Sequence, residues 1–137
     1  MILVVEDDLA IRETVVELLR DEGYPNVTSA RHGKEALAML ETSTEMPGLI
    51  LLDLMMPVMD GESFLAALKS HEKPTLRELP VAILSASRQR TTLPGAVTWL
   101  DKPIDIERLL KLCAEYVGPV ERTAPLSTEP AETPVAR

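Results

Sequence analysis

A chain of 137 residues with 45% apolar content can bury one good core and is too short for two ordinary domains. Its formal charge of −8 and pI near 4.8 exclude the basic face that nucleic acid or an anionic membrane rewards, and favour an acidic cleft that attracts cations. The single cysteine, Cys113, excludes an intrachain disulfide and a thiolate-rich zinc site, which suits a reducing cytoplasm.

The chain opens on the apolar run Ile2 to Val5 and passes at once into Glu6-Asp7-Asp8, without the basic and apolar regions of a secretory leader. No apolar run approaches the roughly 18 to 20 residues of a membrane span, so a soluble cytoplasmic protein is expected. A run as short and continuous as Ile2 to Val5 predicts a strand covered on both faces. Ile11, Val15, Leu18 and Leu19 then fall at helical spacing, with Asp8 placed to cap the helix and Gly23 to end it. A second strand follows over Val27 to Ala30, then a helix over about 34–42 and a third strand over Leu49 to Leu52. The next helix starts after Gly61 and turns Phe64, Leu65 and Leu68 inward. Strands over Val81 to Leu84 and Val97 to Leu100 come next, and a last helix carries Ile106, Leu109, Leu110, Cys113 and Val117 as one stripe up to Gly118-Pro119.

Two segments break this rhythm. Only 16 residues separate Ser85 from Lys102, and they include Pro94. Proline inside a helix costs about 3 kcal/mol, so the fourth helix of the alternation is expected to be shortened or degraded. From residue 119 onward the chain is mostly Pro, Thr, Glu, Ser and Ala with little to bury, which predicts a domain over 1–118 and a disordered tail over 119–137. No Gly-rich phosphate loop is present, so nucleotide binding has no support.

Strand and helix alternating five times predict a five-stranded parallel sheet with helices on both faces, right-handed crossovers, and a site at the carboxyl ends of the strands. Those ends carry Glu6-Asp7-Asp8, Asp53, Ser85 and Lys102, which such a sheet brings together along one edge. Crowded carboxylates repel, and the repulsion is relieved by proton uptake or by a bound cation. Oxygen-only ligands favour Mg²⁺ or Mn²⁺, with Asp7 and Asp53 the expected direct ligands. With the acids neutralised, Asp53 is placed to attack a phosphoryl donor, Lys102 to balance charge on the transferring oxygens, and Ser85 to hydrogen-bond the bound group.

Over residues 1–117 these motifs resemble the receiver domains of two-component response regulators, which share the (βα)5 flavodoxin-like fold. Ile2 to Asp8 is similar to that family's acidic first loop and Leu52-Asp53-Leu54-Met55-Met56-Pro57-Val58-Met59-Asp60-Gly61 to its phospho-acceptor loop; Leu84-Ser85-Ala86 and Lys102-Pro103 complete the set. The resemblance implies that Asp53 is the phosphorylated residue, Asp7 a direct metal ligand, Glu6 an acid holding the metal largely through water, and Met55 a ligand through its backbone carbonyl. It implies that Ser85 is the hydroxyl of the switch, with Trp99 turning in behind it, and that Lys102 is the cation. A histidine kinase or histidine phosphotransfer protein is the implied donor, and the receiver catalyses only its own phosphorylation and dephosphorylation. Output would run through the fourth helix, fifth strand and fifth helix, to a target protein or a homodimer partner, and the compressed connection before Lys102 departs from the family at that surface. Met55, apolar where many relatives carry a polar group, is expected to hinder water and slow loss of the phosphoryl group. The Lys102-Pro103 bond is of the kind the family often holds cis.

Other readings compete with these. A stand-alone receiver acts by target binding or by relay, whereas a pseudo-receiver would keep the fold and signal without phosphate, usually after losing an acid, the hydroxyl or the lysine. A haloacid-dehalogenase-type phosphatase needs a second acid two residues after its nucleophile, and Met55 stands there. A generic scaffold leaves four polar strand ends unexplained. Trp99 serves equally well as core filling; His32 and His71 have no motif partners and belong on the surface, and Cys113 belongs to packing.

Overall fold

A computed structural model of the chain describes residues 1–54, 60–86 and 95–119. Five parallel strands, β1 (Ile2–Val5), β2 (Val27–Ala30), β3 (Leu49–Asp53), β4 (Val81–Ser85) and β5 (Ala96–Asp101), form one sheet in the order β2-β1-β3-β4-β5. Helices α1 (Leu9–Asp21), α2 (Gly33–Thr42), α3 (Gly61–Lys69), α4 (Pro74–Arg77) and α5 (Ile106–Val117) surround the sheet, giving the parallel α/β architecture with helices on both faces that the alternation predicts. The segment expected to hold a shortened helix between β4 and β5 falls mainly at 87–94, outside the described residues, as does nearly all of the tail.

Alternation along each strand splits the core in two, because successive side chains point to opposite faces of a pleated sheet. Leu3, Val5, Ile50, Leu52, Val81 and Ile83 face α2, α3 and α4; Ile2, Val4, Leu49, Leu51, Ala82 and Leu84 face α1 and α5. Strands buried on both faces explain why the sequence shows them as unbroken apolar runs. The register Val5↔Leu52 across β1 and β3, and Asp53↔Leu84 across β3 and β4, brings the ends of the central strands level. Beside β4 the ladder of β5 slips by one residue, Val81 pairing Ala96 and Ala82 pairing Thr98, so that Val97 stands out as a bulge.

Helix ends follow local chemistry. Asp8 Oδ1 accepts the amide of Ile11 at 3.0 Å, which is the expected cap of α1. Asp60 and Asp105 cap α3 and α5 in the same way. His32, expected on the surface without a role, caps α2 by accepting the Glu35 amide through Nδ1. His71 is half-buried: its Nδ1 accepts the Lys73 amide and its Nε2 lies 2.9 Å from Glu41. Two stripe positions depart from expectation. Ile11 and Ile106 are 37% and 48% exposed, each in the first turn of its helix. Together with Ala10, Pro103 and Ile104 they line an apolar groove of about 420 Å³. Among the described residues no helix is long and apolar enough to cross a membrane.

Candidate functional site

β1 hands over to α1 through Glu6, whose amide still donates to the Ala30 carbonyl at 3.1 Å, so its side chain is fixed at the strand end. That end lies beside β3, where the strand order reverses and an open α/β sheet forms its crevice. Asp53 closes β3 on the other side of the crevice, and both acids are buried, at 1% and 4% exposure. Asp7 is exposed. Carboxylate oxygens of Glu6, Asp7 and Asp53 lie within 4.8 Å of one another.

Lys102 completes the cluster from the end of β5. Its Nζ lies 2.9 Å from Glu6 Oε1 and 3.3 Å from Asp53 Oδ1. Its backbone amide donates to the Ser85 carbonyl at 2.9 Å, which joins the ends of β4 and β5. The peptide bond from Lys102 to Pro103 is cis. Ser85 is buried at the end of β4, one strand away from Asp53. Behind Asp53, the Gly61 amide donates to the Leu54 carbonyl at 2.9 Å, so α3 begins against the end of β3. A Cβ on Gly61 would stand 2.7 Å from Leu54 Cα and 2.8 Å from the Asp53 carbonyl oxygen; only glycine allows that approach without a shift.

Burial pushes the Glu6 carboxyl up to about 7, the Lys102 hydrogen bond opposing that rise and the neighbouring Asp53 adding to it. Burial works against the Lys102 charge as well, but its bonds to Glu6 and the charges of both acids outweigh it and hold the ammonium above its ordinary value. A proton or a cation is thus the natural counterweight to three acids in one crevice. Three carboxylates, with no sulfur or imidazole donor beside them among the described residues, fit a hard divalent ion such as Mg²⁺, which takes one or two carboxylates and keeps waters.

The structure therefore gathers Glu6, Asp7, Asp53, Ser85 and Lys102, the residues that strand-end reasoning selects. Met55, with its expected backbone carbonyl ligand, lies outside the described residues. Trp99 is half-buried on β5, paired in register with Ile83 and packed against the core beneath α2, α3 and α4. It fills core there, in a position adjoining the strand that carries Ser85. Arg12, which the sequence did not single out, donates from its guanidinium to the Glu6 carbonyl at 2.9 Å.

Comparison with known proteins converges on one family. The response regulator receiver domain model matches residues 2–114. An uncharacterized 14.6 kDa protein of Leptolyngbya boryana is 38% identical over 84% of this chain and 88% of its own length. The transcriptional regulatory protein PdtaR of Mycobacterium tuberculosis is 33% identical over 80% of this chain, which spans 52% of that regulator's length. Among solved structures, the chemotaxis protein CheY4 of Vibrio cholerae aligns with a TM-score of 0.70 at 32% identity, covering 84% of this chain and 96% of that one. The receiver domain of a Pseudomonas aeruginosa sensor histidine kinase, described with a magnesium ion coordinated in its active site cleft, aligns with a TM-score of 0.72 at 29% identity, covering 85% and 96%.

Proposed function

The chain belongs to the response regulator receiver domain family of two-component signalling, and from that premise we propose that Asp53 accepts a phosphoryl group from a histidine kinase or histidine phosphotransfer protein in a Mg²⁺-dependent reaction. The observation that carries this reading is the convergence of Glu6, Asp7 and Asp53 at one crevice, with the Lys102 ammonium 3.3 Å from Asp53 Oδ1.

An Asp53 carboxylate oxygen forms the new bond to phosphorus while the phosphorus–nitrogen bond of the donor phosphohistidine breaks. The electron pair leaves with the imidazole, which ends neutral after exchanging a proton with solvent, and the product on this chain is an acyl phosphate. Lys102 balances negative charge on the moving oxygens, at a place already held for it by the Ser85 carbonyl and by Glu6. Glu6, Asp7 and Asp53, with the Met55 carbonyl by family resemblance, would hold Mg²⁺, which when bound supplies charge neutralisation at the phosphoryl group. Ser85 offers a hydroxyl from the neighbouring strand, and its movement toward the phosphoryl group would be transmitted to Trp99 on β5. A partner then distinguishes two states that differ by about 1 to 3 kcal/mol of coupling.

Intact mass after incubation with acetyl phosphate and Mg²⁺ tests the reading. One phosphoryl adduct is expected in the wild type and none in Asp53→Ala or in EDTA. A wild type that takes no adduct overturns it and leaves a module that signals without phosphate.

A further inference from the structure

Arg12 has no part in the chemistry above, and the acids Glu6, Asp7 and Asp8 beside it account for the sign of its charge but not for the bond that its guanidinium makes. A cation in the opening of α1 opposes the helix dipole, which favours negative charge at that end. It also adds a like charge beside a crevice suited to a divalent cation. The guanidinium is nevertheless committed, its NH1 donating at 2.9 Å to the carbonyl of Glu6, the peptide that joins Glu6 to Asp7. On the far side of Asp7, the Asp8 carbonyl accepts the Arg12 amide at 2.9 Å and the Asp8 carboxylate accepts Ile11. Asp7 itself is exposed, so the position of its carboxylate depends on this short stretch of backbone and not on packing of its side chain.

We infer that Arg12 is a positioning residue for the divalent-cation site: its guanidinium fixes the Glu6–Asp7 peptide and thereby holds the Asp7 carboxylate within reach of Glu6 and Asp53. The inference rests on the cation-site reading given above. It carries a sign that separates it from electrostatics. Removing a positive charge near a cation site strengthens cation binding when charge alone matters, whereas releasing the loop weakens it.

Calorimetric titration of Mg²⁺ into wild type, Arg12→Gln, Arg12→Met and Arg12→Lys, beside urea unfolding of each in EDTA, is the test. Neither Gln nor Met can repeat the span to the Glu6 carbonyl, and Met keeps the apolar stem, so either variant that folds gives the answer. Both are expected to bind Mg²⁺ about tenfold or more weakly, the size usual for losing a partner that orients a ligand. Arg12→Lys, which keeps a donor, is expected to lie between them and the wild type, and the urea midpoints in EDTA to stay close together. Unchanged or tighter Mg²⁺ binding in Arg12→Gln and Arg12→Met, with normal binding in wild type, overturns the positioning role alone. A wild type that binds no Mg²⁺ overturns the cation site and the positioning role together.

Discussion

Glu6 and Lys102 show how a buried site stays charged enough to work. Glu6 is raised from 4.5 to about 7 chiefly by burial, and an acid raised in this way favours the folded state while it is protonated. That contribution is complete below about pH 4.5 and lost as pH rises through about 7. Mg²⁺ competes with the proton for the same crevice. The gap between urea midpoints measured with saturating Mg²⁺ and with EDTA is therefore expected to widen from pH 5.5 to pH 8; a gap that stays constant would place the competing proton elsewhere. Lys102→Met removes the cation shared by two buried acids. Breaking a buried pair can cost about 3 to 5 kcal/mol. Glu6 can keep its proton here, so a loss of about 1 to 3 kcal/mol is expected in EDTA at pH 8 and a smaller one at pH 5.5, both read from urea unfolding.

At the scale of elements, the start of α3 sets where Asp53 lies. Gly61→Ala drives a methyl group against the backbone of Asp53 and Leu54, and overpacking of this kind costs about 1 to 3 kcal/mol. The variant is expected to unfold at lower urea and to take up phosphoryl from acetyl phosphate more slowly, measured by intact mass against time. Slower uptake without loss of stability would mean that α3 adjusts and Asp53 does not. The strands were legible because burial on both faces makes each an unbroken apolar run, and the site was legible because parallel strands end at one edge. Other features were harder to see. α4 has four residues, too few for a helical period, although Pro74 at its first turn is a usable start signal. Ile11 and Ile106 obey the stripe yet stand exposed, since periodicity gives the direction of a side chain and not how much of it the rest of the fold covers. Arg12 was invisible because its role is a bond to a carbonyl, which no residue pattern marks.

For the whole molecule, one sheet with two separate cores predicts that the chain needs both helical layers and little beyond them. Tyr24 donates to the Gly118 carbonyl at 3.1 Å, and Tyr116 and Val117 pack against the core under α1 and α5. A chain ending at Pro119 is expected to unfold at the same urea midpoint as the full chain, whereas one ending at Glu115 unfolds earlier; equal loss in both would assign the tail a structural part. β1 and β3 are laddered to a strand on either side, while β5 is joined to β4 alone and slips its register at Val97. Amide hydrogen exchange therefore has an order written into the sheet. The central strands should exchange only when the whole molecule opens, and β5 through smaller, more frequent openings. Lys102 follows directly on β5, so each such opening lifts the ammonium away from Glu6 and Asp53, and the charge balance of the crevice lasts only as long as that edge ladder stays closed.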